Sequence, residues 1–153
     1  MRLSSIPKLW HRFWMQRGGR RALLLEAAFW LCTARLAILI FPFPRIARYL
    51  GKLHPPAGEA NDPALNASIA RDVSWAIDRA ALIFPFRMVC LPRALAGWEM
   101  LHRRRITGQL HFGASRDASS AALRTHAWLD ASGVEITGYP EAHECVEIGY
   151  FAR

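Results

Sequence analysis

Two residues in the second half of the chain have the side-chain types needed for nucleophilic catalysis, Cys90 and His126. A thiol is an effective nucleophile only as the thiolate, and the unpaired amides and partial positive charge of a helix N-terminus lower its pKa. Pro92 suits an early helical position, because its missing N–H costs nothing there. The sequence therefore predicts that Cys90 begins a helix, at a place where its thiolate is stabilised.

His126 lies in the run Thr125 to Leu129, which is typical of a β-strand that follows the predicted Cys90 helix. An imidazole on a rigid strand, facing a thiol at a helix end, forms the ion pair of a cysteine nucleophile and later protonates a leaving amine. Cys32 and Cys145 are interpreted as ordinary packing thiols, because free cysteine is among the most buried residue types.

The other histidines carry weaker signals. His11 and His102 lie among arginines, His54 falls in a predicted linker, and His111 shares the predicted sheet with His126. The triplet from His143 to Cys145 has no second ligand pair at zinc spacing. We predict neither a metal site nor a cofactor.

The elements that must position Cys90 and His126 divide the chain into a helical part and a strand-rich part. Gly18 and Gly19 are expected to end the first predicted helix, and Pro42 and Pro44 are expected to end the second one after Ile40. The segment 51–66 has linker composition, so we place a helical section in 1–60 and a core in 61–153.

Apolar periodicity predicts helices at Pro7 to Gln16, Arg20 to Ile40, Arg45 to Leu50, Ala67 to Phe84 and Cys90 to Arg105. Short β-branched or aromatic runs predict antiparallel strands at Gln109 to Gly113, Thr125 to Leu129, Val134 to Gly138 and Cys145 to Phe151.

Composition bounds the class of protein. The chain has 153 residues, 52% of them hydrophobic, which is one domain's worth of material and excludes disorder. Its net charge of +8 favours an acidic partner, although basic solvated helix faces are an equal alternative. Three scattered cysteines indicate reduced thiols and a cytoplasmic location. No nucleic-acid-binding motif accompanies the positive charge.

One segment, Ala22 to Phe41, has the length of a membrane span. It contains Glu26 and Arg35, each of which would cost roughly 2.5 to 3.5 kcal/mol near the middle of a bilayer. We therefore predict a buried helix and reject a transmembrane one, with peripheral membrane contact as an alternative.

Four sequence blocks together resemble the lasso-peptide maturation proteases, a group of transglutaminase-like cysteine proteases. The similarity extends upstream through the arginine- and leucine-rich helices and covers nearly the whole chain. The blocks are Cys90-Leu91-x-Arg93-Ala94-Leu95, Leu101-x-Arg103-Arg104-Arg105-Ile106, Leu110-His111-Phe112-Gly113 and His126-Ala127-Trp128-Leu129.

The resemblance implies an α+β fold, with an N-terminal helical section followed by a papain- or transglutaminase-like core that carries a small antiparallel sheet. It implies a leader peptidase that uses Cys90 and His126 to cut a ribosomally made precursor peptide. A separate leader-recognition protein and a macrolactam-forming cyclase are the partners it implies, because the helical N-terminal part does not match a leader-recognition domain.

The third catalytic residue is where this chain departs from the family, which usually places an aspartate at the position of Gly138. Pairing Ala127 with Ile136 in a hairpin would place Thr137 opposite His126 and Glu135 one step diagonal. We therefore expect Glu135, with Thr137 as the alternative, and leave open that a water or a backbone carbonyl orients the imidazole. Trp128 would share the face of His126 and either shield the ion pair or form a wall of the leader groove.

Two other functions remain open on these residues. The first keeps the fold and makes the protein an amidase or acyltransferase. The second is a non-catalytic basic helical adaptor.

Overall fold

The computed structural model forms an α+β fold, as predicted. It describes residues 6–54, 64–85, 87–116 and 122–152, with side chains from Gly19 onward except at 64 and 65. The helices are α1 (Ile6–Ile40), α2 (Phe43–Leu50), α3 (Ala64–Ala81) and α4 (Cys90–Arg103). The strands are β1 (Leu53–His54), β2 (Gln109–Arg116), β3 (Leu123–Ala131), β4 (Val134–Thr137) and β5 (Val146–Ala152), with a 3-10 turn at Glu141–Glu144.

Helix α1 is continuous, so the predicted break at Gly18 and Gly19 is wrong. Glycine keeps both backbone hydrogen-bonding groups, and its cost of about 1 kcal/mol in a helix is too small to end one by itself. Proline acts differently because it removes the donor: α1 ends at Ile40, before Pro42, as predicted.

Helix α1 packs along α3 and α4, where Ala27, Leu31 and Ala34 are buried. Its segment Gly19–Ile40, with a mean hydropathy of 1.9, is the one helix in the described part of the chain that is long and apolar enough to cross a membrane. Glu26 in this segment faces α4, where its carboxylate accepts hydrogen bonds from Nη1 and Nη2 of Arg104 at 3.0 and 2.6 Å. This charge is therefore paired inside the protein.

The five strands form one antiparallel sheet in the order β1-β5-β2-β3-β4. Helices α3 and α4 cover one face, where Leu110, Leu129 and Phe151 join the core. Helix α4 approaches closely because position 97 is glycine: a Cβ there would lie 2.6 Å from Leu129 Cδ2 and 3.0 Å from Ile77 Cδ1. This close contact sets the height of α4 over the sheet.

Strand β1 lies inside the segment that was predicted to be a linker. Leu53 pairs with Phe151, and His54 pairs with Tyr150, at one edge of the sheet. A two-residue strand has no periodicity to detect in the sequence. The boundary predicted near residue 60 lies outside the described residues, and the two-part division stays a prediction.

The hairpin between β3 and β4 has a different register from the predicted one. Ala131 pairs with Val134 across a two-residue turn, in which Ser132 and Gly133 have φ values of 54° and 70°. Positive φ at both positions is typical of the tight type I′ turn, whereas the prediction assumed a longer loop. With an irregularity after Leu129, the observed pairing places Thr137 opposite Leu129 and not opposite His126.

Candidate active site

Cys90 is the first residue of α4, as predicted. Val89 before it is extended, with φ −75° and ψ 175°, and no side chain of Val89 caps the helix. The first N–H groups of α4 therefore lack intrahelical partners. These amides and the helix dipole favour a negative charge on the adjacent sulfur. Cys90 is half-buried.

His126 lies on β3, half-buried, with its ring held by a backbone carbonyl. Its Nε2 lies 2.7 Å from the carbonyl oxygen of Gly138. A carbonyl oxygen can only accept, so Nε2 carries the hydrogen and donates it. The other ring nitrogen, Nδ1, is then the unprotonated one that can take a proton.

Cys90 and His126 line the same cavity, which has a volume of about 460 Å³. Helix α4 contributes the cysteine, β3 contributes the histidine, and most of the remaining wall is apolar. Its apolar residues are Phe43, Leu53, Leu91, Phe112, Ile148 and Phe151. An apolar cavity beside a thiol is suited to side chains of an extended peptide, because it offers few partners to a charged small molecule.

Trp128 packs beside His126 and is only 6% exposed. The two rings are stacked, with centroids 6.2 Å apart and planes inclined by 20°. Trp128 is not among the residues that line the cavity. The structure therefore places Trp128 beside the imidazole and outside the cavity wall, and its shielding role stays a prediction.

Gly138 provides the hydrogen-bond acceptor for His126 through its backbone. Its φ is +90°, a conformation that L side chains rarely adopt. A Cβ at this position would lie 2.6 Å from Trp128 Cβ and 2.8 Å from the Ala127 carbonyl oxygen. An aspartate could not occupy position 138 unless β3 shifted. In this protein the backbone carbonyl of Gly138 contacts the imidazole in place of the carboxylate usual in the family that the sequence resembles. This was one of the alternatives left open by the sequence.

Glu135 and Thr137 do not contact His126, and the register explains why. Glu135 is exposed, and its Oε1 lies 2.7 Å from Nε2 of His143. Thr137 is buried at 3% exposure, and its Oγ1 has no hydrogen-bond partner among the described residues. The geometric premise that selected these two residues was wrong.

Two other sequence interpretations meet the structure here. Cys32 is exposed on α1, so its interpretation as a buried thiol was wrong. Cys145 is half-buried, and its Sγ donates a hydrogen bond to the Glu141 carbonyl oxygen at 3.5 Å. Neither sulfur lines the cavity that contains Cys90. No group of three or more histidine, cysteine or carboxylate side chains in the described ranges could hold a metal ion.

Sequence reasoning missed the environment of His111. It is 5% exposed, between Glu147 on β5 and Asp130 on β3. Burial alone would lower the pKa of His111, but hydrogen bonds and charges from Asp130 and Glu147 outweigh burial and raise it. Burial also raises the pKa of Tyr139, whose hydroxyl donates to Asp130 Oδ2 at 3.4 Å. Alternating histidine and acid positions in neighbouring strands are the signal that could have found this cluster.

A comparison with known families agrees with this geometry. Residues 28–148, which include α4, His126 and every residue that lines the cavity except Phe151, match the family model described as the transglutaminase-like superfamily. Neither a curated protein nor a solved structure matches the chain. Cysteine proteases are among the members of this superfamily. Because the match covers most of the chain and includes both Cys90 and His126, the protein belongs to the transglutaminase-like superfamily.

Proposed function

We propose that this protein is a cysteine endopeptidase that removes the leader from a ribosomally made lasso-peptide precursor. The observation that supports it most is that Cys90, at a helix N-terminus, and His126, held by the Gly138 carbonyl, line one cavity. The same residues carry the resemblance to the lasso-peptide proteases. Cytoplasmic location is part of the same proposal, because three free, scattered cysteines suit a reducing compartment.

The first chemical step transfers a proton from the Cys90 thiol to Nδ1 of His126. The thiolate attacks the carbonyl carbon of the leader–core peptide bond, and the carbonyl π electrons move to oxygen to give a tetrahedral oxyanion. The backbone N–H of Cys90 is one donor to this oxyanion.

Collapse of the oxyanion breaks the C–N bond and leaves the leader joined to Cys90 as a thioester. The imidazolium of His126 gives its proton to the leaving amine, which is the new N-terminus of the core peptide. His126 then takes a proton from water as the hydroxide adds to the thioester carbonyl. Collapse of this second tetrahedral intermediate breaks the C–S bond, His126 returns the proton to the Cys90 sulfur, and the leader departs with a free carboxylate. Throughout, the Nε2–H bond to Gly138 fixes the tautomer and leaves Nδ1 as the nitrogen that exchanges the proton.

The proposed partners follow from this chemistry. A leader-recognition protein presents the precursor, and a macrolactam-forming cyclase consumes the free amine that the cleavage creates. The apolar cavity walls fit uncharged side chains on either side of the scissile bond.

Mass spectrometry of a cognate precursor tests the proposal. The precursor is incubated with its leader-recognition protein and with wild type, Cys90→Ala, His126→Ala or Cys32→Ala. Cys32→Ala is the matched control, because it removes a thiol outside the cavity. We expect cleavage at one bond by wild type and Cys32→Ala, and none by the other two. An intact precursor, with folded wild-type protein bound to the leader complex, would contradict the proposal.

The same assay separates hydrolysis from acyl transfer, which is the second activity found in this kind of fold. A small primary amine is added during cleavage. A protease releases the leader as the free acid, whereas an acyltransferase releases it mainly as the amide of the added amine.

A further inference from the structure

We infer that His111 is a positioning residue for the reaction: its ring, held on both sides by carboxylates, clamps Trp128 against His126. The inference rests on the proposed function and concerns the geometry of its base. His111 does not line the cavity, so it acts through Trp128 and does not touch the substrate.

The contacts form a row of rings across four strands. His54, Tyr150, His111 and Trp128 lie directly opposite one another in the strand pairings of β1, β5, β2 and β3. Successive ring centroids are 5.2, 5.4 and 5.4 Å apart. Trp128 also stacks on His126, two residues earlier on β3, with ring centroids 6.2 Å apart. The row therefore ends on the proposed base.

Carboxylates flank the ring of His111 on both sides: Glu147 through a hydrogen bond at Nδ1, and Asp130 through an ion pair at Nε2 that lacks hydrogen-bond geometry. Nδ1 of His111 lies 2.7 Å from Glu147 Oε1, and Nε2 lies 3.3 Å from Asp130 Oδ2. A carboxylate on each side favours the imidazolium, in which both nitrogens carry hydrogens. His111 is only 5% exposed, and a histidine with a packing role alone would not need two acidic partners there.

The planes of His111 and Trp128 are inclined by only 4°, so the imidazolium form of His111 lies parallel to the indole face. The electron-rich face attracts that charge, which adds to the packing energy and fixes the ring plane. The same indole also stacks on His126, with the two planes inclined by 20°. Rotation of the indole would therefore disturb both imidazoles.

Two glycines fit the backbone closely around Trp128. A Cβ at Gly113 would lie 2.7 Å from Trp128 Cη2, and one at Gly138 would lie 2.6 Å from Trp128 Cβ. Gly138 also provides the carbonyl that holds His126. The indole thus contacts both the ring of the base and the backbone that orients it, and His111 packs on this indole from the neighbouring strand β2.

The experiment measures cleavage of the precursor and, independently, alkylation of Cys90. The variants are His111→Gln, Glu147→Gln and, as the matched control, His54→Gln at the other end of the row. Alkylation by iodoacetamide is followed at the Cys90 peptide by mass spectrometry as a function of pH. It reports the thiolate–imidazolium pair without needing any substrate.

For His111→Gln we expect kcat to fall by about tenfold, because a misplaced base slows the chemical step. KM should stay within about twofold, because the cavity is unchanged. The midpoint of Cys90 alkylation should rise by about one pH unit, because the imidazolium no longer stabilises the thiolate as well. Glu147→Gln should change both quantities in the same direction by less, and His54→Gln should change neither.

Wild-type kcat and an unshifted alkylation midpoint in folded His111→Gln would overturn the inference. If His111→Gln does not fold, Glu147→Gln decides, because it keeps the His111 ring. Failure of wild type to cleave the precursor would count against the proposed function alone, since the alkylation midpoints still decide the role of His111.

Discussion

The carbonyl oxygen of Gly138 lies 2.7 Å from Nε2 of His126, at the chain position that an aspartate usually occupies in the proteases that the sequence resembles. A neutral acceptor can orient the imidazole as a carboxylate does, but it adds no negative charge to stabilise the imidazolium. The orientation of the base in this protein therefore depends on the backbone conformation of one glycine.

Substitution of Gly138 should damage both folding and catalysis. In Gly138→Ala, the new Cβ would lie 2.6 Å from Trp128 Cβ on a backbone with φ +90°. We expect the free energy of unfolding to fall by about 1 to 3 kcal/mol and kcat to fall at least about tenfold. Urea denaturation and precursor cleavage measure the two effects.

Gly133→Ala is the matched control for this substitution. Its φ is +70°, but a Cβ there meets nothing within 4 Å. It should cost about 1 kcal/mol of stability and leave kcat unchanged. Equal loss of kcat in both variants would contradict the role of the Gly138 carbonyl.

Glu135→Gln should cleave the precursor at a rate within about twofold of wild type. The Glu135 carboxylate pairs with His143 on an exposed surface and has no contact with His126. Steady-state kinetics of the purified variant measure this. A loss of a hundredfold or more would instead restore Glu135 as the third catalytic residue.

The close approach of α4 to the sheet gives a second pair of glycine variants. In Gly97→Ala the new Cβ would lie 2.6 Å from Leu129 Cδ2, so overpacking should cost about 1 to 3 kcal/mol, partly offset by the better helix propensity of alanine. Gly19→Ala, also in a helix but with open space around the Cβ, should instead stabilise by about 0.5 to 1 kcal/mol. Thermal unfolding distinguishes the two, and a stabilising Gly97→Ala would contradict the observed packing.

His111 predicts a pH dependence of stability with a definite sign. Its pKa is raised above 6.5 in the folded protein, so the native state binds this proton more tightly than the unfolded chain does. The stabilisation is complete below the ordinary pKa and is lost as pH rises through the raised one. The stability advantage of wild type over His111→Gln should therefore shrink as pH rises from about 6 toward about 9. Denaturation curves across this range measure it, and a difference that grows with pH would contradict the contacts of His111.

The sequence predicted those parts of the fold that local chemistry determines. Pro42 follows the end of α1, Pro92 suited the first turn of the Cys90 helix, and short β-branched or aromatic runs located four strands. Cys90 and His126 were identified because a nucleophilic thiol and an imidazole on following elements form a recognisable pair.

The remaining features depend on contacts between distant segments. The register of β3 and β4 depends on a two-residue turn with positive φ at Ser132. Positive φ is uncommon for serine, so the sequence does not predict it. Strand β1 exists only because β5 offers an edge for Leu53 and His54. The hydrogen-bond acceptor for His126 is a backbone carbonyl. Every residue has one, so no residue type in the sequence marks which carbonyl will be used.

The measurement that tests the central claim most directly is a rapid acid quench of precursor cleavage with enzyme in excess. Peptide mapping then locates any covalent adduct. We expect the leader to be joined to Cys90 as a thioester that hydroxylamine removes, and we expect Cys90→Ala to form no adduct and to leave the precursor intact. A leader adduct on another residue, or cleavage by Cys90→Ala at the wild-type rate, would contradict the assignment of Cys90 as the nucleophile.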